Sequence, residues 1–128
     1  MTLSVTQIDG GTINNGDIAN SGAGGGNIVV SGNSTIDSSA VLNDGTVTVN
    51  DGVLLTLNGI TVNASTITDD DTHTGSGQLT LAGLVKLKGG AVIDSFASGN
   101  FTNTGTLEIV DTATLSNDTL TNLSLIHI

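Results

Sequence analysis

A five-residue phrase made of Gly, any residue, an aliphatic, any residue and a second aliphatic returns four times along the chain. Its copies begin at Gly26, Gly45, Gly77 and Gly105, so successive copies lie 19, 32 and 28 residues apart. Alternation of aliphatic and polar residues is typical of a β-strand with one buried face. Recurrence at intervals of about 20–50 residues is typical of architectures in which one short unit stacks on the next. The phrase therefore favours a stack of short strands.

Between these copies the chain alternates in further short runs, and no amphipathic helix is indicated. The runs are about three to five residues long and are closed by Gly, Asn or Asp, and they cover 46–49, 55–57, 60–62, 78–81, 85–87 and 106–109. The fold predicted is all-β: a right-handed parallel β-helix (β-solenoid) of short stacked coils. Thr80 and Glu108 hold the same place in successive copies of the phrase, so they are predicted to lie side by side on neighbouring coils.

The shortage of large rings favours a narrow coil over a compact sandwich. The 128 residues include no Trp, Tyr, Pro or Cys, and Phe96 and Phe101 are the only aromatic residues apart from two His. Compact sandwiches depend on aromatic residues because each ring buries about 150–250 Å². A tube lined by stacked Val, Ile and Leu does not need them. Abundant β-branched residues also favour strand over disorder.

An antiparallel β-sandwich is the alternative fold. Asp44-Gly45, Asp51-Gly52 and Asn58-Gly59 are the residue pairs that form two-residue hairpin turns. Residues 55–62 in particular read as strand, turn and strand. We prefer the solenoid because the strands are very short, an aromatic core is missing and the Gly-led phrase returns.

Three segments are distinguished along the chain. Residues 1–25, rich in Gly and Asn, are expected to be weakly ordered or to form a first partial coil, and residues 26–122 are expected to form the β-solenoid repeats. Residues 123–128 abandon the Gly/Thr/Asn pattern and resemble a translated sequencing adapter, so a native tail and an artefact both stay open. Neither end shows a cap, and open coil edges pair with other chains. We therefore expect a fragment flanked by neighbouring repeats of the same large chain.

The charge balance excludes two classes of partner. The formal net charge is −10, and Lys86 and Lys88 are the only Lys or Arg residues. Nucleic-acid affinity depends on basic side chains that neutralise phosphates, and anionic membranes attract basic segments in the same way. No run reaches the roughly 18 apolar residues of a membrane helix, and no signal peptide is visible. We expect no nucleic-acid partner and no membrane insertion.

The strongest acidic cluster, Asp69-Asp70-Asp71 with His73, raises the question of a calcium site. Ca²⁺ takes about six to eight oxygen ligands, but three consecutive Asp side chains diverge, and a solvated loop tip is the simpler interpretation. Residues 22–28 have the outline of a calcium-binding Gly-rich nonapeptide, but Asn27 stands where that motif needs Asp. We predict no metal-binding and no cofactor-binding residue.

The pattern of charged residues does not predict catalysis. Glycoside hydrolysis needs two carboxyl groups about 5–10 Å apart, and the candidates Asp94 and Asp111 each follow an aliphatic strand, where a turn Asp is expected. Lyase chemistry needs a base and a cation, whereas the chain has no Arg and both lysines lie on one strand. Five Asn-x-Ser/Thr glycosylation sequons are interpreted as chance matches in a chain rich in Asn and Thr; they begin at Asn33, Asn63, Asn100, Asn117 and Asn122. We predict no catalytic residue and no enzyme, with a carbohydrate-active β-helix enzyme as the alternative.

Residues 44–49, 54–59 and 103–109 resemble the repeats of very large bacterial surface proteins, namely repetitive adhesins and haemagglutinin-like or autotransporter passengers. The likeness covers residues 26–122 and lies in composition and rhythm. It implies a β-helical stalk, secreted or on the bacterial cell surface, that acts in adhesion through contacts with glycans or surfaces. A calcium-binding β-sandwich adhesin repeat is the alternative within this setting. The likeness carries over no catalytic or binding residue.

Overall fold

The computed structural model describes residues 1–16, 25–69 and 78–128. Regular structure in these ranges consists of sixteen strands: β1 (Thr2–Leu3), β2 (Gln7–Asp9), β3 (Thr12–Asn14), β4 (Asn27–Val30), β5 (Ser34–Asp37), β6 (Val41–Asn43), β7 (Thr46–Val49), β8 (Leu54–Asn58), β9 (Thr61–Asn63), β10 (Thr66–Thr68), β11 (Gln78–Ala82), β12 (Leu84–Lys88), β13 (Ala91–Asn103), β14 (Thr106–Ile109), β15 (Ala113–Asn122) and β16 (Leu125–His127). Every pairing among these strands is parallel. The prediction of a parallel β-solenoid is confirmed, and the antiparallel β-sandwich is wrong.

The strands form three faces, each six strands deep. Face 1 contains β1, β4, β7, β10 and the first parts of β13 and β15; face 2 contains β2, β5, β8, β11 and the second parts of β13 and β15; face 3 contains β3, β6, β9, β12, β14 and β16. The chain visits the faces in this order six times. The six coils therefore span residues 2–14, 27–43, 46–63, 66–88, 91–109 and 113–127.

Residues in the left-handed backbone region make many of the corners between faces. Asp44 and Gly45, with φ of 59° and 65°, link β6 on face 3 to β7 on face 1, and Gly59, with φ of 64°, links β8 on face 2 to β9 on face 3. The hairpin that the alternative fold places over residues 55–62 is therefore absent, because β8 pairs with β5 and β11 instead of β9. The Asp-Gly and Asn-Gly pairs turn the chain onto the next face, a role that uses the same positive φ as a hairpin turn.

Close stacking of the corners explains the leading Gly in two copies of the strand phrase. A Cβ atom on Gly45 would lie 2.3 Å from the carbonyl oxygen of Asn15 on the corner of the preceding coil. A Cβ atom on Gly105 would lie 2.1 Å from the carbonyl oxygen of Gly83. Since real Cβ atoms do not approach backbone so closely, these corners require glycine.

The copies of the phrase lie on different faces, which corrects the register predicted from the sequence. Those that begin at Gly26 and Gly45 precede the paired strands β4 and β7 of face 1, but the third copy forms β11 on face 2 and the fourth forms β14 on face 3. Thr80 consequently lies opposite Thr102, and Glu108 lies opposite Lys86. The prediction that Thr80 and Glu108 lie side by side is wrong, because the steps of 32 and 28 residues each contain one coil and one additional face.

The interior is a stack of aliphatic layers. In β8, Leu55 and Leu57 point inward and are fully buried, whereas Thr56 between them is partly exposed. Leu57 lies between Ile36 and Leu81 of the neighbouring coils. The two neighbouring coils thus cover the upper and lower sides of each aliphatic layer, so an isolated coil would leave both sides of its layer exposed.

The two terminal segments distinguished in the sequence contribute strands where they are described. Residues 1–16 supply β1, β2 and β3, which pair with β4, β5 and β6 of coil 2. Residues 17–24, from the same Gly/Asn-rich segment, lie outside the described residues. The tail supplies β16, which pairs with β14.

Candidate functional site

Face 2 carries a column of threonines. Five consecutive coils place this residue at the same outward position, each opposite the next in the strand register: Thr35, Thr56, Thr80, Thr102 and Thr121. We call these five residues the threonine column. Gln7 holds the same position in coil 1. Because neighbouring strands lie about 4.7–4.9 Å apart, one hydroxyl and one methyl group recur at this spacing along the solenoid axis.

Buried neighbours hold the threonine column in place. Thr56 is flanked by Leu55 and Leu57, and Thr80 by Leu79 and Leu81, all four fully buried. A β-branched side chain also has few χ1 rotamers. The column is therefore a row of preformed hydroxyl and methyl groups, and a ligand would order little of the chain when it binds.

The surroundings of the threonine column are uncharged over most of its length. The sequences of β8, β11 and the face 2 parts of β13 and β15, residues 100–103 and 119–122, contain no charged residue. Asp9 and Asp37 lie on face 2 in coils 1 and 2, where Gln7 Nε2 donates a hydrogen bond of 3.0 Å to Asp37 Oδ2. The chemistry offered by coils 3 to 6 is that of neutral hydroxyls and methyls.

A second column, made of asparagines, runs along face 3. Asn43 Nδ2 donates to Asn14 Oδ1 at 2.9 Å, and Asn63 Nδ2 donates to Asn43 Oδ1 at 3.0 Å. Asn43 in the middle therefore donates toward the preceding coil and accepts from the following coil. We call these three residues the asparagine ladder. Its amides bind one another, so it acts in cohesion between coils 1, 2 and 3.

Three carboxyl groups meet at the corner between faces 1 and 2. Asp94 Oδ1 accepts hydrogen bonds from Ser116 Oγ at 2.6 Å and from Asn117 Nδ2 at 3.0 Å. Asp118 shares a hydrogen bond with Asp69, which is fully buried. Burial raises the pKa of Asp118 and the charge of Asp94 raises it further, while the hydrogen bond with Asp69 acts in the opposite direction. This corner can hold a proton at Asp118 above the pH at which an exposed aspartic acid loses it.

The candidate calcium residues lie partly outside the described residues. Asp69 is at the end of face 1, and residues 70–77, which include Asp70, Asp71 and His73, are not described. The same holds for residues 22–24 of the Gly-rich segment. Within residues 1–16, 25–69 and 78–128, no group of three His, Cys, Asp or Glu side chains is arranged to hold a metal ion.

Asp94 and Asp111 lie at opposite ends of face 1 and do not form a carboxylate pair. Asp111 accepts hydrogen bonds from the backbone N–H groups of Gly89, at 2.8 Å, and Thr112. The register pairs Ala91 with Ala113 and Asp94 with Ser116, so Asp94 lies three residues, about 10 Å, along the strand from its start. Asp111 lies before that start. Asp111 stabilises a corner, as expected of a turn Asp.

A shallow groove of about 250 Å³ lies where face 2 turns into face 3. Its lining consists of Ser39, Gly59, Ile60, Thr61, Leu84 and Lys86. Lys86 Nζ lies 3.4 Å from Glu108 Oε2, and both side chains are partly exposed. Because the carboxylate of Glu108 partly neutralises the Lys86 ammonium group, the groove attracts an anionic ligand less strongly than an unpaired lysine would.

Comparison of the chain with protein-family models, with curated proteins and with solved structures finds no match. Among the described residues, none forms a helix long and apolar enough to cross a membrane. The surface features described above are therefore the basis for a functional proposal.

Sequence reasoning missed both columns. The threonines recur at intervals of 21, 24, 22 and 19 residues, because the corners and loops between faces differ in length from coil to coil. The aliphatic-Thr-aliphatic triplets at residues 55–57 and 79–81 mark individual members of the threonine column. They do not show which triplets share a face. Assigning each strand to its face first would have revealed the alignment.

Proposed function

We propose that this chain is a structural and adhesive repeat segment of a secreted or cell-surface bacterial exoprotein. It acts as part of a stalk and offers a weak, multivalent binding surface for glycans or other surfaces. The observation that carries this proposal is the threonine column, a preformed and uncharged row of five hydroxyl groups. The resemblance of residues 44–49, 54–59 and 103–109 to repeats of bacterial surface proteins supports the extracellular setting.

The stalk role is supported by the way the coils add up. Each coil contributes about 4.8 Å along the axis, so the six coils give a rise of about 24 Å from first to last. Stability in such a stack is close to a sum of coil and interface terms, and its length grows with the number of coils. A larger protein built from this unit would hold distant groups apart.

The adhesive role is supported by the chemistry of face 2. A hydrogen bond between one threonine hydroxyl and a sugar hydroxyl contributes little net binding free energy, because both hydroxyls give up hydrogen bonds to water when it forms. Five hydroxyls at a fixed spacing act together, and several chains on one surface increase the avidity by a further factor of about 10²–10⁴. The net charge of −10 favours uncharged over acidic glycans as partners.

Retention of chain-coated beads on immobilised neutral polysaccharides tests this proposal. The triple variant Thr56→Ala, Thr80→Ala, Thr102→Ala removes the centre of the threonine column. The matched control changes three outward threonines of face 1: Thr48→Ala, Thr66→Ala and Thr68→Ala. We expect at least about a tenfold loss of retention for the face 2 variant and little loss for the control. Equal losses, or no retention of the unmodified chain on any polysaccharide, would overturn the proposal.

A carbohydrate-active enzyme is the rival function, and it predicts turnover. Incubation of the chain with neutral and acidic polysaccharides, followed by detection of new reducing ends or unsaturated products, separates the two. Our proposal expects binding without product. Product formation that disappears with Asp94→Asn or Asp118→Asn would favour the enzyme.

A further inference from the structure

The groove between faces 2 and 3 exists because coil 3 takes this corner with one residue fewer than its neighbours. Residues 57–61 carry coil 3 around the corner. The residues paired with the two ends of this segment bound the segments 36–41 in coil 2 and 81–86 in coil 4, and each of these is one residue longer. The corner of coil 3 is therefore set back between two longer corners.

Gly59 leaves this recess unfilled. A Cβ atom on Gly59 would meet no other atom within 4 Å. Ser39 of coil 2 and Leu84 of coil 4 line the groove on either side, and Leu84 is 44% exposed. Thr61 and Lys86, which are paired in the strand register of face 3, line the end toward that face. The groove thus combines an apolar wall with two hydroxyl groups and an ammonium group.

The backbone of this corner is already used in contacts between coils. Four N–H groups along the groove donate to carbonyl oxygens of a neighbouring coil at 2.9 or 3.0 Å, namely Ser39 to Gly59, Gly59 to Ala82, Thr61 to Ala40 and Lys86 to Ile60. A peptide that binds by strand addition needs free backbone groups. Recognition in the groove therefore falls to side chains, which disfavours an extended peptide as the ligand.

The size and chemistry of the groove fit one ring of a larger ligand. Its volume of about 250 Å³ lies below the about 300–1,000 Å³ of pockets that enclose a whole small molecule. Lys86 Nζ lies 3.4 Å from Glu108 Oε2, so a hydrogen-bond donor stands beside an acceptor. Adjacent sugar hydroxyls match such a pair, because each hydroxyl both donates and accepts. The carboxylate of Glu108 and the net charge of −10 disfavour an anionic ring.

We propose that this groove binds one neutral hexopyranose residue of a glycan. A C–H face of the ring lies on Leu84, and ring hydroxyls bond to Ser39, Thr61 and the pair formed by Lys86 and Glu108. The site is separate from the threonine column, and it adds selectivity for one sugar residue to a face that repeats a single group. The inference rests on the proposed function only in taking a glycan as the ligand.

Two-dimensional NMR of the isotope-labelled chain, titrated with the methyl glycosides of glucose, mannose and galactose, tests the site. At least one glycoside should shift the amide signals of Gly59, Leu84 and Lys86 in a saturable way. Gly59→Asn fills the groove, since Asn tolerates the φ of 64° at this position, and Leu84→Ala removes the apolar wall. Each variant should weaken binding at least about tenfold, or about 1.4 kcal/mol.

Gly52→Asn is the matched control. Gly52 has a φ of 70°, a Cβ atom there would also meet no other atom within 4 Å, and it lies at the corner between faces 1 and 2. This variant should bind like the unmodified chain, and the amide spectrum of each variant shows whether it keeps the fold. No saturable shift at the groove with any of the glycosides would overturn the inference. Unchanged affinity in folded Gly59→Asn or Leu84→Ala would do the same.

Two further comparisons separate this inference from its alternatives. Methyl glucuronide adds a carboxylate to the same ring and should bind more weakly than the glucoside; tighter binding would contradict a site for neutral sugars. The variant Thr56→Ala, Thr80→Ala, Thr102→Ala should keep the groove shifts. Loss of polysaccharide retention in that variant, without groove shifts from any glycoside, would refute this inference alone. Groove shifts with undiminished retention of that variant would refute the adhesive role of the threonine column alone.

Discussion

Removing the central member of the asparagine ladder should destabilise the protein about twice as much as removing its first member. Asn43 takes part in two amide hydrogen bonds, of 2.9 and 3.0 Å, whereas Asn14 takes part in one. A typical net contribution is about 0.5–1.5 kcal/mol for each hydrogen bond. Asn43→Ala is therefore expected to lower the free energy of unfolding by about 1–3 kcal/mol, and Asn14→Ala by about 0.5–1.5 kcal/mol.

Urea denaturation followed by circular dichroism measures both values. Thr61→Ala, on the outer side of face 3, serves as a control with no side-chain hydrogen bond in the asparagine ladder. A loss for Asn43→Ala no larger than that for Asn14→Ala would refute the ladder. Such a result would mean that Asn43 does not form hydrogen bonds with both Asn14 and Asn63.

Two further predictions concern the core and the acidic corner. Leu57→Ala should lower the free energy of unfolding by about 2–5 kcal/mol, because it leaves a cavity in a fully buried layer. Leu84→Ala, at a site 44% exposed, should lower it by less than about 0.5 kcal/mol. Urea denaturation measures both values, and similar losses would contradict the layered core. The pKa of Asp118 is raised in the folded state by burial and by the charge of Asp94. Above about pH 3.9, the ordinary aspartate pKa, the unfolded chain therefore loses this proton while the folded chain still holds it. The free energy of unfolding should fall as the pH rises from there through the raised pKa. Asp118→Asn should remove this fall, so melting temperatures of the two proteins should diverge with rising pH; parallel curves would contradict the prediction.

The fold class could be predicted because it follows from local rules. Two-residue alternation in runs such as 46–49 and 106–109 specifies strands with one buried side, and Gly or Asn at their ends specifies sharp corners. Both signals are read over a few residues, and the six runs named from the sequence agree within about one residue with β7, β8, β9, β11, β12 and β14. The long strands β13 and β15 were not among them. The absence of large aromatics added a global reason to favour a narrow stack.

The register could not be predicted because it depends on lengths that vary. The phrases at Gly45 and Gly77 resemble each other, but one forms a face 1 strand and the other a face 2 strand. Since all faces use the same alternation and similar corners, the local sequence of a strand does not name its face. The threonine column and the asparagine ladder exist only once the faces are assigned, and for this reason they were missed.

Cross-linking of engineered cysteine pairs tests the central claim, a parallel three-faced stack in this register, most directly. The chain has no cysteine of its own. Thr80→Cys with Thr102→Cys places two thiols on neighbouring strands about 4.7–4.9 Å apart, within the Cα range of about 4.4–6.8 Å for a disulfide. A short bis-maleimide gives a second readout if the disulfide geometry is poor. We expect efficient cross-linking within the monomer for this pair and little for Thr80→Cys with Glu108→Cys, which lie on different faces. Cross-linking of the second pair in preference to the first would contradict the account.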